Sequence, residues 1–181
     1  MRFTQEKIEH NDFRLKGFRW AAQYQGVVTF ESSEYFHIAE ADISYYEPIN
    51  SKVYWAARLA LGVSSNYDTP FAPFVIDSYR NIRGVGDRIQ RGTALSTVNC
   101  ELRAIGFNLP KWQLQAVSFI DIGWIRESGE QFSGGQSHAF GGLGIRILYK
   151  PIYNAMLRVD YGRSLTDFET DHFVIGLGQY F

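Results

Sequence analysis

The chain has 181 residues, one cysteine and a formal net charge of −1. This near-neutral charge argues against a nucleic-acid-binding protein, which usually carries a strong basic excess, and one cysteine excludes an internal disulfide framework. Aromatic residues make up 16% of the chain and 17 residues are glycine, which favours many strands over a helical core. No stretch approaches the roughly eighteen consecutive apolar residues of a transmembrane helix.

Apolar and polar residues alternate with a period of two along most of the chain, which is the pattern of β-strands with two different faces. Residues 1–12 are expected to form an N-terminal extension, and residues 13–181 form one domain with eight alternating stretches. Along the chain, the apolar faces of the eight stretches begin at Phe18, Ala39, Val53, Ala94, Trp112, Leu143, Ala155 and Phe173. In the last stretch, Phe173 and Phe181 are predicted to share the apolar face.

The opposite face of these stretches is small and ionic, as the wall of a water-filled or loop-filled lumen would be. Aromatic residues lie near the ends of the apolar stretches, where a membrane-interface belt is expected: Trp20, Trp55, Trp112, Trp124, Tyr149 and Tyr161. We therefore predict an all-β fold, an antiparallel transmembrane β-barrel with eight strands per chain. A soluble β-sandwich or barrel also alternates, and it is the alternative.

The longest connection is the polar stretch at about residues 64–92, after the third predicted strand. Short turns such as Asn108-Leu109-Pro110 alternate with longer loops. Outer-membrane barrels show this alternation, because their turns are short on one side of the membrane and long on the other.

Four motifs follow one another along the chain: Asp77–Gly86, Asn99–Arg103, Phe119–Gly123 and Phe173–Phe181. In order and spacing they resemble motifs of the BamA/TamA/FhaC superfamily, also called the bacterial surface antigen family. These proteins are outer-membrane insertases and two-partner secretion translocators. The first motif resembles the arginine-glycine motif of the family's long inward loop, although Val85 stands where the family usually has an aromatic residue.

The resemblance implies particular roles for these residues. Arg83 and Gly84 would form the loop motif, while Glu101 and Asp121 would be the partners of the loop in the lumen. The last motif would be the C-terminal strand signal that the assembly machinery recognises, with Phe173, Ile175, Leu177, Gly178 and Phe181. The family barrel has sixteen strands preceded by periplasmic POTRA domains, and this chain resembles the C-terminal half of that barrel.

The residues support the same arrangement independently, because alternation places Glu101 and Asp121 on the polar face of neighbouring strands. Two inward carboxylates repel each other unless a cation lies between them. An arginine fork can bridge them with several charge-assisted hydrogen bonds, and Arg83 is our candidate. The alternative is a solvent-exposed Arg83 on a mobile loop, with ordinary solvated carboxylates.

The width of the barrel limits what one chain can form. Eight strands enclose an interior just wide enough for their own side chains, so the long loop would not fit inside. We therefore expect a second copy, or another half-barrel, to complete a sixteen-stranded barrel, with a homodimer as the simplest form. The alternative is a closed eight-stranded barrel with the loop outside.

The expected function is insertion, assembly or translocation of proteins at the bacterial outer membrane, or at the outer membrane of an endosymbiotic organelle. The expected partners are the lipid bilayer, a second copy or another half-barrel, and unfolded outer-membrane proteins as clients. The alternative is a non-catalytic structural or accessory barrel, or a passive channel, without POTRA domains. We expect no enzymatic activity, cofactor, metal or nucleic-acid partner.

Overall fold

A computed structural model describes residues 1–11, 14–29, 35–66, 71–86, 90–127, 129, 134–152, 155–166 and 169–181, with only the backbone at 10, 11 and 14. Within these residues the fold is all-β. No helix in this part of the chain is long and apolar enough to cross a membrane.

The described residues form eleven strands. They are β1 (Arg2–Asn11), β2 (Arg14–Val28), β3 (Tyr35–Pro48), β4 (Val53–Ser64), β5 (Phe74–Ile76), β6 (Gln90–Gly92), β7 (Ala94–Asn108), β8 (Trp112–Arg126), β9 (Gln136–Tyr149), β10 (Met156–Ser164) and β11 (Asp171–Leu177). Nine of them form one antiparallel sheet in the order β1-β2-β3-β4-β7-β8-β9-β10-β11. The short strands β5 and β6 pair with each other within the long loop. In the described residues no backbone pairing joins β1 to β11, so the large sheet has two edges.

The prediction of eight strands is wrong: the large sheet has nine strands, because the expected N-terminal extension contains β1, and the long loop adds the short pair β5 and β6. β1 pairs with β2 from Arg2↔Gln23 to Asn11↔Arg14. The alternation missed it because both faces of β1 are mainly polar. Pairing between strands is made by backbone groups, which do not require an apolar side-chain period.

The two faces of the large sheet differ sharply in exposure. In β8, Ile120 and Ile122 are 51% and 49% exposed on one face, while Phe119 and Asp121 are 4% and 0% exposed on the other. The same exposed apolar face continues in the neighbouring strands with Ile43, Trp55, Leu61, Val98, Leu102, Leu143, Ile145 and Ile147. We call this the outer face, and we call the buried, largely polar face the inner face.

The long loop between β4 and β7 lies against the inner face. Its residues Ile76, Ile82 and Val85 form an apolar cluster with Ile125 of β8 and Phe140 of β9. A second cluster joins the loop to β3 through Phe36, Ile38 and Phe74. These contacts hold the loop beside the strands that carry Glu101 and Asp121.

We predict that Ile125→Ala loosens the loop. Ile125 is fully buried, and an isoleucine-to-alanine change in a core costs about 2–5 kcal/mol because it leaves a cavity. The free energy of unfolding should fall, and chymotrypsin should cleave faster near Tyr79 of the loop. Ile120→Ala, on the outer face of the same strand, is the control and should leave cleavage unchanged. Equal cleavage of the two variants would contradict this packing role.

Candidate functional site

The arginine-glycine motif of the long loop directly follows a tight turn. The Asp77 carboxylate accepts hydrogen bonds from the backbone N–H groups of Tyr79, at 2.8 Å, and Arg80, at 2.7 Å. The N–H of Ile82 donates to the Asp77 carbonyl at 3.0 Å. An aspartate that bonds the backbone two residues ahead favours such a turn, and Arg83 follows it directly.

Arg83 is fully buried and contacts both predicted carboxylates. Its Nε and Nη2 donate to the two carboxylate oxygens of Asp121, each at 2.8 Å, and its backbone N–H donates to Asp121 at 2.9 Å. Its Nη1 donates to Glu101. The structure therefore brings together the three residues that the sequence predicted to meet, with the bidentate geometry that arginine provides.

Two aromatic rings also contact this guanidinium. Its central carbon lies 3.7 Å from the ring centre of Phe119 and 4.1 Å from that of Tyr180. Cation–π contacts of this kind are strongest where water is absent. The rings therefore stabilise the charge and exclude water from its bonds.

The ion pairs extend beyond Arg83 across four strands and the loop. Arg103 Nε donates to Glu101 at 2.5 Å, and Arg146 Nη1 donates to Asp160 at 2.6 Å. Arg146 also lies 3.8 Å from Glu101, which joins the two pairs. We call the following six residues the charge cluster, and all have fully buried side chains: Arg83, Glu101, Arg103, Asp121, Arg146 and Asp160. Its three positive and three negative charges balance, which burial requires.

The charge state of Arg83 follows from these contacts. Burial by itself lowers the pKa of the Arg83 guanidinium, but Glu101 and Asp121 outweigh burial and raise the pKa well above its ordinary value. Burial, and then the charge of Asp121, raise the pKa of the Tyr180 phenol. Arg83 therefore stays positive and Tyr180 stays neutral across the physiological pH range.

Gly84 allows the loop backbone to touch the sheet. Its φ is +92°, and a Cβ atom there would lie 2.6 Å from the carbonyl of Gly162 in β10. A Cβ on Gly162 would in turn lie 2.6 Å from the carbonyl oxygen of Arg83. The glycine of the motif and its counterpart in β10 therefore give the close approach that lets Arg83 reach the carboxylates.

The predicted C-terminal residues separate into two groups. Phe173, Ile175 and Leu177 lie on the outer face of β11 and are 72%, 65% and 76% exposed. β11 ends at Leu177, and Gly178 has a φ of +80°. After this turn the Phe181 ring packs 6.3 Å from the ring of Tyr46, whose side chain is buried.

The prediction that Phe181 shares the apolar face of the last strand is therefore wrong. The positive φ of Gly178 breaks the alternation. The charge cluster then attracts the end of the chain, since Arg103 lies 5.2 Å from the Phe181 ring centre and donates to its carbonyl at 3.4 Å. Tyr180 is 8% exposed against Arg83.

Sequence reasoning missed half of the charge cluster: Arg103, Arg146 and Asp160. Their inward positions follow from alternation, but their pairing does not. Arg146 of β9 reaches Glu101 of β7 across an intervening strand, β8. Such a contact depends on the register of three strands and on the reach of two long side chains, which a sequence period does not contain.

The cluster is suited to holding a loop rather than to catalysis. Both carboxylates of the predicted pair are already bound by guanidinium groups, which removes the free base that acid–base chemistry needs. In the described ranges, no group of three or more His, Cys, Asp or Glu side chains is placed to hold a metal ion.

We predict that Arg83→Ala releases the loop. The change leaves buried carboxylates without their cation, at a cost of about 3–5 kcal/mol. The urea midpoint should fall, and hydrogen exchange in residues 77–86 should accelerate. The urea midpoint of Arg83→Lys should lie between those of the unchanged protein and Arg83→Ala, because an ammonium keeps the charge but lacks the planar fork of a guanidinium.

The control for this variant is Arg91→Ala in the same loop, where the arginine is exposed. It should shift the urea midpoint and the exchange rates little, because removing an exposed side chain has small effects. The same loss in both variants would show that any arginine in the loop has this effect, and that the charge cluster does not hold it.

We predict that Gly84→Ala displaces the loop by collision as well as by backbone strain. The control is Gly129→Ala, where φ is +81° and a Cβ atom would meet nothing within 4 Å. In the control, the free energy of unfolding should fall only by the backbone strain of about 1–3 kcal/mol, and the loop should stay protected from chymotrypsin. In Gly84→Ala, the free energy of unfolding should fall further and the loop should become accessible to the protease. Similar behaviour of the two variants would remove the argument for close backbone approach.

Comparisons of this chain with protein-family models, with curated proteins and with solved structures found no match. The resemblance to the BamA superfamily therefore rests on the four sequence motifs, and the function that it implies is a proposal.

Proposed function

We propose that the chain is one half of an outer-membrane β-barrel of the BamA superfamily type, which inserts, assembles or translocates proteins at the outer membrane of a bacterium or an endosymbiotic organelle. The observation that carries the proposal is the long loop held on the inner face by Arg83, Glu101 and Asp121. The sequence resembles that superfamily in the loop motif and in the motifs of the two strands that carry Glu101 and Asp121.

The distribution of polarity supports a membrane location. The outer face exposes isoleucine, leucine, valine and aromatic side chains over many strands, while the inner face buries arginine, aspartate and glutamate. Soluble proteins rarely expose a continuous apolar surface of this extent. Strands of 12–15 residues, as in β2, β3, β4, β7, β8 and β9, exceed the roughly 9–11 residues that span a bilayer.

The free edges of the sheet support completion by a second half. Unpaired backbone groups at an edge are costly in hydrocarbon, so a sheet in a membrane has to close. The loop and the charge cluster already occupy the inner face, and an eight-stranded barrel has no room for them. Two copies that each contribute the eight strands β2–β4 and β7–β11 would form a sixteen-stranded barrel with two-fold symmetry.

In this arrangement the last strand forms a seam that can open toward lipid. β11 has only seven residues, and it contains Gly176, which adds no side chain to pack. Both features weaken strand pairing. A client strand could then pair temporarily at the seam, while the loop controls the lumen from inside.

A second candidate function, a passive channel, is favoured by a different observation. A cavity of about 250 Å³ is lined by Arg19, Arg58, Arg80 and Arg158 together with aromatic side chains. Rings of arginine in a pore select for anions. A channel built on this cavity would pass small anions without handling protein clients.

We predict that the chain reconstituted in liposomes accelerates the folding of a urea-unfolded outer-membrane barrel, compared with protein-free liposomes. Folding is measured by the shift in gel mobility of the unheated client. Arg83→Ala should lose the acceleration because the loop is released, and Arg91→Ala should keep it.

The same liposomes separate the two candidates. Anion leak without acceleration of client folding would favour the passive channel and overturn the insertase proposal. A chain that stays monomeric in detergent-free buffer and does not enter liposomes would overturn both proposals, since each needs the outer face in lipid.

A further inference from the structure

β1 carries a charged side chain, Lys7, in the middle of its outer face, whereas the charged outer-face residues of β2 and β11, Lys16 and Asp171, lie near the strand ends. Its pairing register places Phe3, Gln5 and Lys7 opposite Ala22, Trp20 and Phe18 of β2. Directly paired residues share a face, so Gln5 and Lys7 lie beside Trp20 and Phe18 on the outer face, while Glu9 lies opposite Lys16 nearer the end of the strand pair. A glutamine and a lysine among side chains that would face hydrocarbon oppose membrane insertion.

The strand at the other edge of the sheet has the opposite character. The outer face of β11 carries Phe173, Ile175 and Leu177, each at least 65% exposed. β2 continues this apolar character with Phe18, Trp20 and Tyr24, which are 38%, 36% and 50% exposed. β2 and β11 therefore match each other as lipid-facing neighbours, and β1 matches neither.

β1 is also weakly held by side chains. All its residues from Arg2 to Lys7 are exposed, and none of its described side chains, at residues 2–9, belongs to the two apolar clusters of the inner face. Besides the backbone pairing with β2, a hydrogen bond of 2.9 Å joins Trp20 Nε1 to the side chain of Gln5. The exposed inner-face residues Arg2, Thr4 and Glu6 add polar groups on the other side.

We propose that the edge of β2 is the docking site for β11 of a second copy of this chain, and that β1 is a removable strand that occupies this edge until the two copies join. The inference rests on the proposed function, since it names the partner of the half-barrel. In the closed form, β1 leaves the wall and β2 of each copy pairs with β11 of the other.

This role explains why a polar strand lies on the edge of an apolar sheet. Unpaired edges are sites of aggregation, and natural proteins cover them or place charges on them. β1 covers the backbone groups of β2 while its Lys7 and Glu9 keep the covered edge polar. The same charges favour its departure when the outer face meets lipid.

The test locks β1 to β2 with a disulfide. Thr4 and Ala21 are directly paired on the inner face, so Thr4→Cys with Ala21→Cys in a Cys100→Ala background leaves Gln5, Lys7 and Glu9 unchanged. Directly paired strand residues lie within disulfide range. The mass of the protein in detergent micelles is measured by sedimentation before and after reduction.

The oxidised variant should have the mass of one chain, and reduction should give the mass of two. A variant that lacks residues 1–12 should have the two-chain mass with or without oxidant. Ile145→Cys with Val159→Cys is the matched control, because it joins β9 to β10, which stay paired in both states. Its oxidation should leave the two-chain mass unchanged.

A two-chain mass for the oxidised Thr4–Ala21 pair would overturn the inference, because β1 would not need to leave. A one-chain mass for every form would also overturn it, because the edge of β2 would then not bind a second copy. Failure of the proposed function is a separate result: the reduced, two-chain protein would enter liposomes without accelerating client folding.

Discussion

The structure depends on one buried positive charge. Arg83 is fully buried, so its guanidinium has to find its hydrogen-bond partners within the protein. Asp121 and Glu101, on two neighbouring strands, accept hydrogen bonds from it, and the rings of Phe119 and Tyr180 cover it. The loop that carries Arg83 is thereby fixed to the inner face, because moving it would leave buried charges of both signs without partners.

The position of this charge decides how the rest of the molecule is arranged. Glu101 is shared by Arg83 and Arg103 and lies near Arg146, so the inner face buries a charge-balanced ion cluster beside its two apolar clusters. The apolar residues of the large sheet are left on the outer face, where they are exposed. This exposed apolar side is the feature on which the proposed membrane location rests.

The two edges of the large sheet differ in length and in the polarity of their outer faces. After Leu177 the chain turns at Gly178, and the rings of Tyr180 and Phe181 lie against Arg83 and Arg103 of the charge cluster. This turn limits β11 to seven residues and leaves its outer edge available for pairing. At the opposite end, β1 pairs along β2 and carries the polar side chains Gln5, Lys7 and Glu9 on its outer face. The sheet thus has one edge strand with an apolar outer face and one edge strand with a mainly polar outer face.

The sequence by itself determined the all-β class, the two faces of the strands and the inward direction of Glu101 and Asp121. Alternation with a period of two shows directly on which face of a strand each residue lies. The arginine-glycine motif also pointed to Arg83 as their partner. Only the tertiary structure decided the remaining features: the strand β1, the inward turn before Phe181 and the contact of Arg146 with Glu101 across β8. Backbone pairing, a single positive φ and the register of three strands produce these features, and none of the three leaves a periodic pattern in the side chains.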